Sequence, residues 1–257
     1  MPSLPSAPAL SVVVPVFNEA DNIRPLVDEI RAALDGRLAY EIVYVDDGSS
    51  DATPHSLAAA RADGAPLRVI RHAACCGQSA AVATGVAAAR GPVIATLDGD
   101  GQNDPANIPD LMAVLEAADD PDRLLVAGLR AKRKDTWIKR VSSRIANRVR
   151  GGLLRDNTPD TGCGLKVFTR AAFLDMPRFD HMHRFLPALM IRRGGRVVSV
   201  PVNHRPRERG ASKYGTLDRL AVGIVDLFGV FWLQRRASRP VVSEVDLGGA
   251  GPEEGAS

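Results

Sequence analysis

The chain has 257 residues, of which 45% are hydrophobic and 25% are charged, and its formal net charge is +3 at pH 7. These values are ordinary for a soluble globular protein with a sizeable core, and they exclude global disorder and collagen-like repetition. The chain has three cysteines, two of them adjacent, so a disulfide framework is excluded and reduced thiols are expected. Neither a secretory signal nor an apolar run long enough for a transmembrane helix is predicted.

Positive charge is concentrated in one segment. Positions 130–155 hold ten Lys or Arg residues and one acidic residue, a local balance of +9, so the remainder of the chain carries −6. Cations clustered in this way predict an anionic partner that binds at one place. Nucleic acid, an anionic membrane face and a phosphorylated substrate all meet that description.

Strand and helix patterns alternate through the first 130 residues. Because the strand patterns are apolar on both faces, they predict an α/β fold in which a mostly parallel, Rossmann-like sheet has helices on both faces. The predicted strands are Leu10–Phe17, Glu41–Asp47, Leu67–His72, Pro92–Asp98 and Leu124–Leu129, followed in the second half by Leu165–Thr169 and Arg196–Val202.

Two longer helices are predicted in the second half. A helix over Trp137–Leu153 would carry Arg140, Arg144 and Arg148 in a row on one face. The segment Leu217–Arg236 is apolar but too short to cross a bilayer, and its aromatic residues are followed by arginines. We therefore expect an amphipathic helix in the membrane interface, with a buried helix or an oligomer contact as alternatives.

The most informative polar run is DGDGQNDP, which begins at Asp98. Asp98 and Asp100 follow a buried strand, and residues at that end of a parallel sheet line the ligand crevice. Two carboxylates, with the carbonyl oxygen of Gln102 as a third ligand, suit an Mg²⁺ or Mn²⁺ ion that holds a diphosphate. A single D-x-D pattern arises often by chance, but here DDGSSD follows a neighbouring strand of the same sheet.

Motifs along most of the chain resemble those of known enzymes. The early motifs PVFNE, VDDGSSD, GQSAAVATG and TLDGDGQNDP are similar to those of family 2 glycosyltransferases with the GT-A fold. The later motifs GLR, KRVSSRIAN, DTGCGLKVF, HRFLP and RPRERGASKYG resemble the polyprenyl-phosphate branch, which includes the dolichol-phosphate mannose synthases. The resemblance covers roughly residues 10–236, and the R-x-x-G-x-S-K pattern from Arg207 to Lys213 is its most specific part.

The resemblance implies a role for each matching residue. The base and ribose of a nucleotide sugar would be surrounded by Pro15, Phe17, Glu19 and Asp46. The metal and the donor diphosphate would be held by Asp98, Gly99, Asp100 and Gln102. Donor or acceptor phosphate would face Arg130, Arg140 and Ser143, and the lipid phosphate would be gripped by Arg207, Ser212 and Lys213. The residues expected to take part in catalysis are Asp98, Asp100, Arg130, Arg207 and Lys213.

The expected reaction is metal-dependent, inverting transfer of a sugar from a GDP- or UDP-linked donor to a polyprenyl phosphate. Mannose from GDP is the favoured sugar, and glucose, a uronic acid or an amino-sugar from UDP are the alternatives. A phosphate acceptor is anionic near neutral pH, so it attacks without a general base. We expect a peripheral enzyme at the cytoplasmic face of the membrane, a homo-oligomer being possible. The predicted organisation is a flexible N-terminus (1–9), a GT-A catalytic domain (10–215), a membrane-interface helix (216–238) and a disordered tail (239–257).

Three other functions fit parts of the sequence. A GT-A transferase acting on a saccharide hydroxyl would need a general base beyond Asp100. A nucleic-acid-binding protein would use the arginine row instead of the carboxylates, although no nucleic-acid partner is expected here. A catalytically silent, membrane-bound regulator would bind no nucleotide.

The remaining histidines and cysteines receive no chemical role from the sequence. We expect His183 to be a packed or acceptor-loop residue. Cys75 departs from the resemblance, because many relatives carry Asn at this position. The nucleotide contact that relatives make through this loop is therefore not expected of Cys75. No metal-ligand spacing relates the other four histidines, His55, His72, His181 and His204.

Overall fold

The computed structural model describes residues 7–130, 150–156, 158–206 and 216–238, together with positions 240 and 243. Within these ranges seven strands form one sheet in the order β3-β2-β1-β4-β6-β5-β7. Each predicted strand is present, with ends that lie within two residues of the prediction. The strands are β1 (Leu10–Val16), β2 (Tyr40–Asp46), β3 (Leu67–Arg71), β4 (Val93–Thr96), β5 (Leu124–Arg130), β6 (Lys166–Thr169) and β7 (Arg196–Val202).

The sheet is mostly parallel, as predicted. The exception is β6, which is inserted between β4 and β5 and is antiparallel to both. Its first residue, Lys166, pairs with Thr96, the last residue of β4. The segment that leads into β6 therefore meets the loop that leaves β4.

Helices cover both faces of the sheet. One hydrophobic cluster joins α1, α2 and α4 to one face, and a second cluster joins α3, α5 and α6 to the other. Side chains of β1 alternate between the clusters, with Val12 and Val14 in the first and Val13 in the second. The helices are α1 (Ala20–Leu34), α2 (Thr53–Ala62), α3 (Gln78–Ala88), α4 (Ile108–Glu116), α5 (Arg170–Leu174), α6 (Leu186–Arg192) and α7 (Thr216–Arg235).

Close packing of α3 on the sheet depends on its small residues. A Cβ at Gly85 would overlap the Val13 side chain, so only glycine allows this approach of helix to strand. The Ala-rich sequence of α3 buries most of its length in this way. The start of α3 is thereby fixed at the same edge of the sheet as the loop after β4.

Several predictions concern residues outside the described ranges. Most of the predicted helix Trp137–Leu153 lies there, although residues 150–154 are helical. The predicted flexible N-terminus and disordered tail stay predictions. None of the helices in the described ranges combines the length and the apolar composition that crossing a bilayer requires. The predicted phosphate-binding residues outside the described ranges are Arg140, Ser143, Arg207, Ser212 and Lys213, together with Arg144 and Arg148 of the arginine row.

Candidate active site

The two expected metal ligands lie in the loop that leaves β4. Gly99 separates them, and a Cβ at this position would come 3.0 Å from the Pro15 carbonyl oxygen, so the loop packs directly on β1. Asp98 is half-buried: its Oδ1 accepts a 2.8 Å hydrogen bond from Gln78 Nε2, and its Oδ2 accepts a 3.4 Å bond from Asn103 Nδ2. The loop thus presents a carboxylate held from both sides.

Asp98 is electrostatically poised for a cation. Burial raises the pKa of its carboxyl group, and the nearby negative charge of Asp100 raises that pKa further. A divalent cation bound by both carboxylates would relieve their mutual repulsion in this partly desolvated loop. Carboxylate oxygens are ligands that Mg²⁺ and Mn²⁺ prefer. The residues present therefore fit the expected ion.

The segment before β6 completes the surroundings of Asp98. A Cβ at Gly164 would overlap the Asp98 carboxylate, so a larger residue here would displace the Asp98 side chain where the two loops meet. Thr96 Oγ1 donates a 2.7 Å hydrogen bond to the Gly164 carbonyl oxygen and fixes the contact. Next to it Lys166 is 4% exposed, and its ammonium donates to the Cys163 carbonyl oxygen.

A cavity of about 360 Å³ opens beside Asp98. Both halves of the chain line it: Pro15 and Gln78 come from the first half, and Lys166 and Arg184 come from the second. Burial lowers the pKa of Lys166, while the charge of Asp98 opposes that change. The cavity thus combines a carboxylate with basic side chains, an arrangement that suits an anionic ligand bound with a metal ion.

His183 lies in the wall of this cavity. Its Nδ1 is 2.7 Å from Ser79 Oγ, at the start of α3, and its backbone N–H donates to the same oxygen at 3.2 Å. Burial, helped by the charge of Arg184, lowers the pKa of His183 to about 3. The imidazole is therefore neutral at physiological pH and a weak base.

The loops after β1 and β2 are tied together where the nucleotide is expected. Asn18 has a left-handed backbone (φ 54), and its Oδ1 accepts a 2.8 Å hydrogen bond from the Ser50 backbone N–H. Asp46 is 1% exposed, and its Oδ1 accepts a 2.9 Å bond from the Ser49 N–H. Glu19 Oε2 accepts a 2.6 Å bond from Asn22 Nδ2.

The four residues expected around the base and ribose therefore share one edge of the sheet. Pro15 lines the cavity, and Phe17 and Glu19 are half-buried in the loop after β1. Asp46 ends β2 beside them. Their nucleotide contacts stay a prediction.

Arg130, expected to face a phosphate, makes a bidentate ion pair. Its Nε and Nη2 donate to Oδ2 and Oδ1 of Asp160, both at 2.6 Å. The pair raises the pKa of Arg130, and its guanidinium also feels the charge of Asp98. Arg130 is thus held at the site by a carboxylate of the segment before β6, and its phosphate contact stays a prediction.

Gln102 connects the carboxylate loop to the chain after β7. Its backbone N–H donates to Asp100 Oδ1 at 3.1 Å, and its Nε2 donates to the Arg205 carbonyl oxygen at 3.3 Å. The Arg205 guanidinium makes two hydrogen bonds, of 2.8 and 2.6 Å, to Glu29 of α1. The chain therefore enters the predicted lipid-phosphate motif from a residue anchored beside Asp100.

Sequence reasoning missed several residues of the site. Gln78, Asn103 and Gly164 hold or accommodate Asp98, yet they lie outside the D-x-D motif. Asp160, Gly164 and Lys166 belong to the quoted motif DTGCGLKVF, but no role was assigned to them. The resemblance of DTGCGLKVF to the family motif is the one sequence signal that indicates a function for this segment.

One group of metal-ligating side chains was not found from the sequence. His72 has no metal-ligand spacing along the chain, but its Nδ1 lies 2.7 Å from Asp47 Oδ1, and the pair is close to Cys76. The sequence hid this cluster because Asp47 follows β2 while His72 and Cys76 follow β3. Pairing of the two strands brings the residues together.

Comparison with known proteins identifies the family. The sequence model described as Glycosyl transferase family 2 matches residues 11–176, which include both carboxylates and the segment before β6. The chain belongs to glycosyltransferase family 2. The prediction that it is a glycosyltransferase is thereby confirmed.

Sequence relatives place the chain in the polyprenyl-phosphate branch. It is 37% identical, over 90% of its length and 69% of the relative, to a dodecaprenyl-phosphate galacturonate synthase of Rhizobium johnstonii. It is 35% identical, over 81% of its length, to an undecaprenyl-phosphate 4-deoxy-4-formamido-L-arabinose transferase of Edwardsiella ictaluri. The chain spans 63% of the length of that second relative.

Solved structures confirm the GT-A fold. Glucosyl-3-phosphoglycerate synthase of Mycobacterium tuberculosis, in complex with UDP, superposes with a TM-score of 0.68 and 20% identity, covering 88% of this chain and 80% of that one. The same enzyme with Mn²⁺, UDP and glucosyl-3-phosphoglycerate gives a TM-score of 0.67 at 20% identity, with the same coverage.

Proposed function

We propose that this glycosyltransferase moves a sugar from a nucleoside-diphosphate donor to a polyprenyl phosphate in a metal-dependent, inverting reaction. The observation that carries the proposal is the partly desolvated Asp98, with Asp100 nearby, at a cavity lined by Lys166 and Arg184. Two sequence relatives whose names give a polyprenyl-phosphate acceptor support the choice of acceptor.

Asp98 and Asp100 would hold the divalent ion, together with Gln102, whose backbone N–H is bonded to Asp100. The ion would neutralise the donor diphosphate and stabilise the departing nucleotide. Solved structures of the fold contain Mn²⁺ and UDP, which supports Mn²⁺ or Mg²⁺ as the ion and UDP as one candidate nucleotide, with GDP the alternative. Gln78 and Asn103 orient the Asp98 carboxylate, and Gly164 leaves room for it.

The acceptor phosphate would itself be the nucleophile. It is largely ionised at neutral pH, so its attack on the anomeric carbon requires no general base. The neutral, weakly basic His183 in the cavity wall fits this chemistry, because a saccharide hydroxyl would need a stronger base. Single displacement inverts the anomeric centre and gives a β-linked lipid phosphate from an α-linked donor.

Mannose is the sugar that the dolichol-phosphate mannose synthase resemblance favours. A hexuronate is a second candidate, because Lys166 and Arg184 line the cavity and the name of one relative gives galacturonate. An ammonium and a guanidinium would pair with a sugar carboxylate, whereas mannose offers no charge for them to bind.

The membrane surface is the proposed place of the reaction. On α7, Val225, Phe228 and Trp232 are 71, 61 and 59% exposed. The guanidinium of Arg235 lies 4.2 Å from the Phe231 ring centre, so apolar and basic groups alternate near the helix end. These features support a helix lying in the interface of the cytoplasmic face of the membrane.

Transfer of radiolabel tests the proposal. The enzyme is incubated with undecaprenyl phosphate, Mn²⁺ and one labelled donor at a time, including GDP-mannose, UDP-glucose and UDP-galacturonate. Label should enter the organic phase with one donor, and EDTA or Asp100→Asn should reduce the rate by about 100-fold or more. The exposed Asp110→Asn of α4 is the matched control and should keep full activity.

Three results would contradict the proposal. An unchanged transfer rate in Asp100→Asn would show that the carboxylate pair is not needed for the reaction. Label that stays in the aqueous phase, attached to a saccharide, would favour the hydroxyl-acceptor transferase. Tight binding of oligonucleotides that survives Asp98→Asn would favour the nucleic-acid alternative.

A further inference from the structure

A cluster of metal-ligating side chains lies apart from the carboxylate loop. Asp47, His72 and Cys76 each offer one ligand atom, and these three atoms lie within 4.8 Å of one another. The adjacent Cys75 joins them, with its Sγ 3.2 Å from Asp47 Oδ2. We propose that this cluster binds Zn²⁺, at a site that is independent of the proposed Mg²⁺ or Mn²⁺ site.

The donor atoms select the ion. One carboxylate, one imidazole and one or two thiolates form the mixed O, N and S set of many tetrahedral zinc sites. Mg²⁺ and Mn²⁺ prefer oxygen ligands, so they should favour Asp98 and Asp100 over this cluster. On binding, the Cys76 thiol releases its proton to solvent and His72 offers a neutral ring nitrogen. The thiolate and the Asp47 carboxylate then balance the charge of the ion.

The site is held in place by the backbone. Asp47 accepts hydrogen bonds from the N–H groups of Cys76, at 2.9 Å, and Gly77, at 2.8 Å. A Cβ at Gly48 would come within 2.8 Å of the Cys75 nitrogen, so the loop after β3 rests directly on the turn after β2. The positions of the ligands are therefore largely fixed before an ion arrives.

Two side-chain adjustments would complete the site. Tetrahedral zinc with ordinary bond lengths places its ligand atoms roughly 3.3–3.8 Å apart. Cys76 is exposed, and its thiol donates a 3.3 Å hydrogen bond to the Ala74 carbonyl oxygen. Zinc binding would require this side chain to rotate away from Ala74, and Asp47 Oδ1 and His72 Nδ1, which are 2.7 Å apart, to separate to the spacing of zinc ligands.

The location connects the proposed zinc to the active site. Cys76 precedes Gln78 by two residues, and Gln78 Nε2 is hydrogen-bonded to Asp98. His72 Nε2 lies 2.9 Å from Thr84 Oγ1 on the same helix. A zinc ion would therefore fix the start of α3, from which Gln78 reaches the carboxylate.

Metal titration of the full chain, kept reduced with a phosphine, tests the proposal. Zn²⁺ should bind at about one equivalent per chain and raise Tm, and Co²⁺ at the same site should give a thiolate charge-transfer absorption. Cys76→Ser and His72→Ala should each weaken Zn²⁺ binding roughly tenfold or more. Cys163→Ser and His55→Ala are matched controls that should bind as the parent does.

Clear outcomes would overturn the site. Zinc affinity unchanged in both Cys76→Ser and His72→Ala, or no thiolate absorption in the parent chain, would show that these side chains do not hold the ion. Loss of zinc binding in Asp98→Asn alone would move the ion to the carboxylate loop. Because Cys76 is exposed, Cys76→Ser should fold even where His72→Ala does not, and circular dichroism checks both.

Discussion

Burial decides the charge of His183. Its folded pKa is about 3, whereas an unfolded histidine titrates near about 6.5. As the pH falls below about 6.5 the unfolded chain takes up the proton first, so stability is lost between about pH 6.5 and 3, by up to about 1.4 kcal/mol per pH unit. We predict that His183→Gln flattens the fall in the free energy of unfolding between pH 6.5 and 4, measured by urea denaturation.

The exposed His55 supplies the control for this measurement. His55→Gln should leave the pH dependence of stability as it is in the parent chain. An equal slope in His183→Gln and in the parent would show that the imidazole of His183 is not buried in its neutral form.

Single residues could be predicted where the sequence concentrates unusual chemistry. Asp98 and Asp100 follow an apolar strand and stand out for that reason. Gly164 and Gln78 could not be found this way, because their importance comes from contacts with Asp98 across 66 and 20 positions of the chain. The residues next to Lys166 in the sequence do not predict that its side chain is buried.

At the scale of elements, two loops meet where β4 ends and β6 begins. An alanine methyl at position 164 would occupy the space of the Asp98 carboxylate. We predict that Gly164→Ala lowers transfer at least tenfold and costs about 1–3 kcal/mol of stability, because overpacking displaces one of the two loops. Transfer assays and urea unfolding measure the two effects.

Gly151 allows a matched test of the same substitution. It lies in helical residues 150–154, and a Cβ there would meet nothing within 4 Å. Gly151→Ala should leave transfer intact and change stability by no more than about 1 kcal/mol, in the favourable direction. Comparable losses in both variants would mean that the contact between Gly164 and Asp98 is not the cause.

The elements themselves were largely predictable, but the direction of β6 was not. Apolar, β-branched runs bounded by polar turns identify a strand whichever way it runs. The reversal of β6 depends on how the chain between β5 and β6 returns to the sheet, and that segment is rich in basic residues and lacks a strand pattern. For this reason the approach of Asp160 to Arg130 was not foreseen.

At the scale of the molecule, the apolar face of α7 is the feature that a membrane would cover. Phe228 and Trp232 are both more than half exposed. Burying two such rings in the interface contributes about 3–5 kcal/mol, so we predict that Phe228→Asp with Trp232→Asp weakens binding to anionic liposomes at least tenfold. Co-sedimentation with vesicles of phosphatidylglycerol measures the change.

A similar substitution elsewhere controls for added charge. Val69 on β3 is 37% exposed and lies on another element, so Val69→Asp should sediment with liposomes as the parent does. Vesicle binding that is unaffected by the double change in α7 would favour the alternative in which this face contacts another protein chain.

The overall architecture followed from the sequence because its physical causes are local. Alternating strand and helix patterns fix an α/β sheet, and apolar runs on both faces of the strands require cover on both sides. The cavity did not follow, because its walls come from residues as distant as Pro15 and Arg184. The place of Arg205 beside Gln102 depends on folding in the same way.

The reversed strand has a consequence for engineering. Two contacts, Arg130 with Asp160 and Asp98 with Gly164, cross from the parallel strands to the segment that feeds β6. A chimera can take residues 10–116 from one family member and the remainder from another. Its Asp98 carboxylate would keep its position only if the residue at position 164 is glycine or similarly small. Recombination that exchanges sugar preference should therefore succeed most often when residues 158–166 and the loop after β4 come from the same parent protein.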